Sequence, residues 1–142
     1  MTVISFSKTL SANDTGLTGG HQAGILVPKG DPNLLAFFPR LDPALQNPDT
    51  WIVVTDEHGE ERQLRYIYYN KKLHGAGTRD EYRITHLTKY LRDAGAHPGD
   101  ALIFTGVQGS GRYRIRVEKA NRADVAADEP GVIRLSGWRR VH

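Results

Sequence analysis

The chain is cut into runs too short and too β-branched for anything but strands. "TWIVVTD" (Thr50–Asp56) and "ERQLRYIYYN" (Glu61–Asn70) are rich in valine, isoleucine, threonine and tyrosine. Between them lies "EHGE", a glycine-containing turn, so the pair predicts a β-hairpin. "DALIFTGV" and "GRYRIRVEKA" flank "QGSG" and predict a second one. In "RYRIRV", Arg112, Arg114 and Arg116 alternate with Tyr113, Ile115 and Val117. Successive strand side chains point to opposite faces, so the arginines share one face and the apolar residues the other. "AGILVP", ended by Pro28, and "GVIRLSGWRRV" near the C-terminus predict two more strands.

Helical signals are few. "RITHLTKYLRDAG" places Ile84, Leu87 and Leu91 on one stripe with Tyr90 beside it, and predicts a helix stopped by Gly95 and Pro98. Four of the seven prolines (Pro32, Pro39, Pro43 and Pro48) fall between Asp31 and Thr50. They limit that segment to short turns around "NLLAFF" and "DPALQ". It reads as an irregular connection inside one domain spanning 1–142. Many short strands with one or two short helices make the class mainly β, with a mixed, β-dominated barrel.

At 142 residues and 39% apolar content, the chain suits one modest core. No apolar run is long enough to span a membrane, and "MTVISFSKTL" holds no apolar leader core. Cysteine is absent, which excludes disulfides and thiolate metal sites and fits a reducing, cytoplasmic setting. Net charge is only +3, but it is unevenly placed. Eight basic residues lie from Arg62 to Arg92 (Arg62, Arg65, Lys71, Lys72, Arg79, Arg83, Lys89 and Arg92), opposed only by Asp80 and Glu81. A second cluster comprises Arg112, Arg114, Arg116, Lys119 and Arg122. Such local excess suits a phosphate backbone, which supplies most non-specific affinity; the plainer alternative is a solvated charged face.

Two segments carry candidate chemistry. In "GTRDEYRI" (Gly77–Ile84), an extended backbone points Arg79, Glu81 and Arg83 one way and Asp80 and Tyr82 the other. Arginine pairs with guanine in bidentate fashion, and a carboxylate accepts from the cytosine amino group. A glutamate between arginines repels phosphate, so it either reads a base or holds the arginines in place; the plainer alternative is an exposed salt-bridged loop. In "LSANDTGLTGGHQAG" (Leu10–Gly24), Gly16, Gly19 and Gly20 permit close backbone approach to a phosphate. Ser11, Asn13, Asp14 and Thr15 shape the turn, and His21 reaches a base or a phosphate. A polar turn held by its own side chains is the alternative.

Enzyme signatures are missing. There is no Walker loop, no H-E-x-x-H helix and no G-x-S-x-G elbow. The acidic stretch "DEHGEE" falls on a hairpin turn. The expectation is no enzyme, no catalytic residue, no cofactor and no metal. Two rival readings remain: a small metal-independent nuclease built on His21, His74 or His86, and an RNA-binding module stacking bases on Tyr66, Tyr68 or Tyr69.

"LSANDTGLTGGHQAG" resembles a stretch near the start of the effector-DNA-binding domain of EcoRII-type restriction endonucleases. The resemblance continues, in the same order, at "YIYYN" (Tyr66–Asn70) and "GTRDEYRIT" (Gly77–Thr85). "HPGDALIF" (His97–Phe104) is similar to a signature of the related plant DNA-binding pseudobarrels, such as auxin response factors. What the resemblance implies is a seven-stranded pseudobarrel with short helices, from which two arms enter the major groove. It implies DNA contacts from His21 in the first arm and from Arg79, Glu81 and Arg83 in the second. Lys8, Ser11, Asn13, Asp14, Thr15, Gly19, Gly20, Gln22 and Thr78 are further candidates on the same motifs. The expected partner is double-stranded DNA carrying a short G·C-rich site of the CCWGG type, within restriction–modification. Leu26 stands where the family carries tyrosine, and Gly77 and Tyr82 where it carries lysines. The sequence stops at His142 without the endonuclease's catalytic domain, so the expectation is a stand-alone recognition domain, with a fragment of something larger as the alternative, and a separate nuclease or other effector protein as a second partner.

Overall fold

The computed structural model of the protein describes residues 2–15, 24–120 and 137–141. The strands are β1 (Val3–Thr9), β2 (Ile25–Val27), β3 (Asp49–Thr55), β4 (Glu61–Tyr69), β5 (Glu81–Thr85), β6 (Ala101–Val107), β7 (Arg112–Glu118) and β8 (Trp138–Arg140). Two short helices, α1 (Pro32–Phe37) and α2 (Thr88–Asp93), and one 3-10 turn (Lys71–His74) complete the elements. All eight strands join one sheet in the order β2-β5-β4-β3-β7-β6-β1-β8. This is the mainly β pseudobarrel expected, with eight strands among the described residues where the resemblance implied seven.

Both expected hairpins form: β3 pairs antiparallel with β4, and β6 with β7. A parallel pairing of β3 with β7 joins them. The sheet curls so that one face encloses the core. Tyr113 and Ile115 point inward and are buried, while Arg112, Arg114 and Arg116 are exposed. The core is largely aromatic: Phe38 lies 5.1 Å from Tyr66, 5.5 Å from Phe104 and Tyr113, and 6.2 Å from Trp138. Edge-on and tilted aromatic contacts of this kind add to plain apolar burial. β2 and β8 stand at opposite ends of the strand order, and the Trp138 indole N–H donates to the Leu26 carbonyl (2.8 Å), linking them.

The N-terminal strand β1 has no counterpart in the sequence reading. Ile4 and Phe6 face the core, and Ser5 and Ser7 on the other face are buried too. Ser5 Oγ and Thr105 Oγ1 satisfy each other across β1 and β6 (2.8 Å). The helix expected from Arg83 is shorter than the periodicity suggested. Ile84 and Thr85 belong to β5, with Ile84 in register with Tyr66 and Ile25. His86 then adopts φ 72°, which no helix tolerates, and α2 starts only at Thr88. Gly95 (φ 64°) closes it in the left-handed conformation, as expected, with the Ala96 amide donating back to the Leu91 carbonyl.

Candidate nucleic-acid interface

The loop from Asn70 to Asp80 leaves the end of β4 and returns as β5. It begins with the 3-10 turn, closed by Gly75 at φ 66°. The Lys72 amide donates to the Arg79 carbonyl (3.0 Å), which folds the loop back on itself. Lys71, Lys72, Thr78 and Arg79 are all exposed on it.

At the foot of this loop Arg79, Glu81 and Arg83 meet. The Glu81 carboxylate accepts from Arg79 Nη2 (2.7 Å) and Nε (3.1 Å) and from Arg83 Nε (3.1 Å). Arg83 Nη2 reaches the second carboxylate oxygen at 3.3 Å. The Arg79 guanidinium lies 3.7 Å from the ring centre of Tyr69, a cation–π seat. Burial pushes the Glu81 carboxyl up, but the hydrogen bonds from Arg83 and Arg79 outweigh it and hold the group below its usual range. Exposed ion pairs add little stability, so the cluster's consequence is orientation: one carboxylate holds two guanidinium groups on one face. Asp80 and Tyr82 point the other way, as the alternation predicts. Asp80 binds Lys29 (2.7 Å) and the Tyr68 hydroxyl, and Tyr82 stacks on Tyr68 (4.1 Å, 4°). Those two partners hold the Asp80 carboxyl below its ordinary value.

The loop between β1 and β2 starts at a root built from small polar groups. The Ser11 amide donates to Asp14 Oδ2 (3.0 Å), and the Asp14 amide donates to Ser11 Oγ (3.1 Å). The Thr15 hydroxyl donates to the Ala12 carbonyl (3.1 Å). Lys8 is buried; its ammonium pairs with Asp14 (3.0 Å) and donates to the Thr9 carbonyl (2.7 Å). Beneath it, the Leu10 amide donates to the Asp100 carbonyl, and the Gly99 amide donates to the Leu10 carbonyl. The Asp100 carboxylate accepts from the His97 and Ala120 amides (2.9 and 2.8 Å), so the "HPGD" turn braces this root.

Where the first loop returns, it touches the charged cluster. Arg83 Nη1 donates to the Gly24 carbonyl (3.1 Å). Gly24 sits at φ 84°, and a Cβ there would lie 2.1 Å from the Ile84 carbonyl oxygen, so only glycine fits. Leu26, 41% exposed, pairs with Arg83 across β2 and β5. Gly24 and Asn70 were not singled out from sequence as site residues, and Tyr69 only as a base-stacking ring in the RNA-binding alternative, although each lies in a quoted motif. Their roles depend on contacts with residues far along the chain.

The expected residues are thus distributed as follows. Arg79, Glu81 and Arg83 converge. Ser11, Asp14 and Thr15 form the root of the first loop, with Lys8 beneath. His21, Gly19, Gly20 and Gln22 lie outside the described residues. The first basic cluster separates: Arg62 pairs with Asp56, Glu60 and Asp93, and Arg65 with Asp49. The arginines of β7 lie three strands from β5 in the sheet. The rivals gain little from the geometry. Tyr66 and Tyr68 are buried and unavailable for stacking. His74 contacts the Pro43 carbonyl, and His86 contacts Thr85 and the Trp51 ring, so neither imidazole is paired with a carboxylate. Among the described residues no three histidine, aspartate or glutamate side chains gather to hold a metal ion, and no helix is long and apolar enough to cross a membrane.

A curled sheet around one aromatic core defines a pseudobarrel, and Arg83 links the strand after the second loop to Gly24. Residues 1–113 match the family described as "Restriction endonuclease EcoRII, N-terminal", and the chain belongs to that family. Among curated proteins it is 41% identical over 83 residues to the type II restriction enzyme EcoRII of Escherichia coli, covering 56% of this chain and 20% of the enzyme. It is also 30% identical over 127 residues to auxin response factor 2 of Oryza sativa subsp. japonica, covering 89% of this chain and 16% of that protein. The chain therefore spans about a fifth or less of the length of these relatives.

Proposed function

We propose that this chain is a sequence-specific double-stranded DNA-binding domain of 1–142, working in the cytoplasm within restriction–modification. Both arms enter the major groove, and the target is a short G·C-rich site of the CCWGG type. The observation that carries this is the Arg79–Glu81–Arg83 cluster, joined to the first arm through the Arg83–Gly24 hydrogen bond. Two guanidinium groups held by one carboxylate, Arg79 exposed and Arg83 half-buried, suit bidentate pairing with guanine. Glu81 orients both and has lone pairs left for a cytosine amino group. His21 and Gln22 read from the first arm, where Gly19 and Gly20 let the backbone approach a phosphate. Ser11, Asn13, Asp14 and Thr15 shape that arm and meet the sugar–phosphate edge, with Lys8 supporting them, while Thr78 does the same on the second. The domain itself does no chemistry; cleavage, where it follows, comes from a separate nuclease or effector partner.

The test is selection from a random duplex pool with the full chain, followed by sequencing and by titration at several salt concentrations. Enrichment of one short G·C-rich site is expected. The log–log salt dependence should be linear, with a slope reflecting ~4–8 phosphates. A pool that emerges unenriched, a flat salt response, or tighter binding to single strands than to duplex would overturn the reading.

A further inference from the structure

Asn70, the last residue of "YIYYN", is fully buried at the point where β4 gives way to the second arm. Every polar group it owns is engaged. Its side-chain oxygen accepts from the Asn47 amide (2.6 Å), and its own amide donates to Asn47 Oδ1 (3.1 Å). Its side-chain NH₂ donates to the carbonyls of Leu45 (2.7 Å) and Pro43 (3.2 Å). Its carbonyl accepts from the Leu73 amide inside the 3-10 turn. Asn47 stands at φ 49°, a left-handed conformation that asparagine tolerates better than most residues. His74, at the end of the same turn, meets the Pro43 carbonyl (3.2 Å). The proline-rich connection is therefore a buttress, and the arm is bolted to it at two points.

This bolt lies directly behind the reading cluster. Tyr69, adjacent to Asn70, carries the Arg79 guanidinium on its ring, and Lys72, two residues further on, holds the Arg79 carbonyl. A shift of the arm root would move Arg79 relative to Arg83, whose strand is fixed in the sheet. Base recognition requires donors placed to within about 0.5 Å. We propose that Asn70 is the positioning residue of the second arm, setting the discrimination between DNA sequences without touching DNA. This rests on the DNA-reading function proposed above. It also explains why the residue is asparagine. Aspartate keeps the shape, but it loses both donors and turns a carboxylate toward two carbonyl oxygens.

The experiment compares the full chain with Asn70→Asp, Asn70→Ala and Asn47→Gly, each checked for a cooperative melt. Each is titrated with the duplex that wild type selects and with a scrambled duplex, far below the melting temperature. The Asn70 variants should bind the selected duplex about tenfold more weakly while the scrambled duplex changes by less than about twofold. Asn47→Gly keeps the left-handed backbone and deletes one hydrogen bond, so it should lose less discrimination. It carries the test if the Asn70 variants do not fold. Folded variants that discriminate as well as wild type, or that lose both affinities by the same factor, overturn the positioning role. Wild type that prefers no duplex overturns the DNA-reading function itself, and the positioning role with it.

Discussion

The roots of the two arms are built from different materials. The first stands on backbone amides, the Ser11 and Thr15 hydroxyls and the Lys8–Asp14 ion pair, with Leu10 bonded to Asp100 beneath. The second stands on a buried amide, Asn70, and presents a half-buried cluster of charge in which Arg79 is exposed and Glu81 and Arg83 are partly covered. A buried ion pair is costly to break, because removing one partner strands the other in a poor solvent. A partly exposed ion-pair cluster contributes less to stability than a buried pair, because solvent screens it. Damage to the first root should therefore appear mainly in folding, and damage to the second cluster mainly in sequence discrimination.

Arg83 is where the comparison should break most visibly, since it touches both arms. Arg83→Ala should cost about 2–3 kcal/mol on the selected duplex and much less on a scrambled one. Paired titrations decide it; equal losses on both duplexes would reduce Arg83 to a phosphate contact. Next in size comes the first root. Lys8→Met removes the Lys8–Asp14 ion pair and should lower unfolding free energy by about 2 kcal/mol. The double variant Lys8→Met/Asp14→Asn should recover part of that in denaturant melts. Full additivity of the two single effects would mean that the pair is not coupled.

Glu81→Ala is a smaller but sharper probe. Removing a negative charge from a phosphate surface should raise non-specific affinity. The selected complex should nonetheless weaken, by about 1–2 kcal/mol, because two arginines lose their orienting partner and a base reader disappears. If both complexes tighten equally, Glu81 reads nothing. The smallest effect concerns acid stability. Burial raises the Asp100 carboxyl, but hydrogen bonds from the Ala120 and His97 amides and from Lys119 outweigh it, so the folded group titrates below its ordinary value. A depressed folded value adds stability above the unfolded one and forfeits it as pH falls through the folded one. Asp100→Asn should therefore lower the melting temperature at neutral pH and flatten its decline in acid. A parallel decline in both proteins would assign the acid loss to other carboxylates.

Much of the molecule was legible in the sequence alone. Short β-branched runs around glycine-containing turns named both hairpins, and period-two alternation named the outward arginines of β7, because a strand's faces are decided by the pleat alone. The same rule set Arg79, Glu81 and Arg83 against Asp80 and Tyr82, and their contacts follow that division. It failed where two rules competed over one residue. Ile84 fits a helical stripe as well as a strand, and pairing with Tyr66 and Ile25 chose the strand. Strand β1 was not read from the sequence: two of its seven residues are serines, which carry no apolar signal. Its burial depends on Thr105, a hundred residues away, to satisfy a hydroxyl.

The arms divide in the same way. Residue types and spacing alone made this a chain with charge-bearing polar loops on a β scaffold, since glycine, arginine and alternation act locally. That Arg83 binds Gly24, that Asn70 binds Asn47, and that the Arg62–Arg92 cluster splits into separate ion pairs were decided only in the folded molecule. Those contacts join residues distant in sequence, and sheet register and the path of the proline-rich segment bring them within hydrogen-bonding reach.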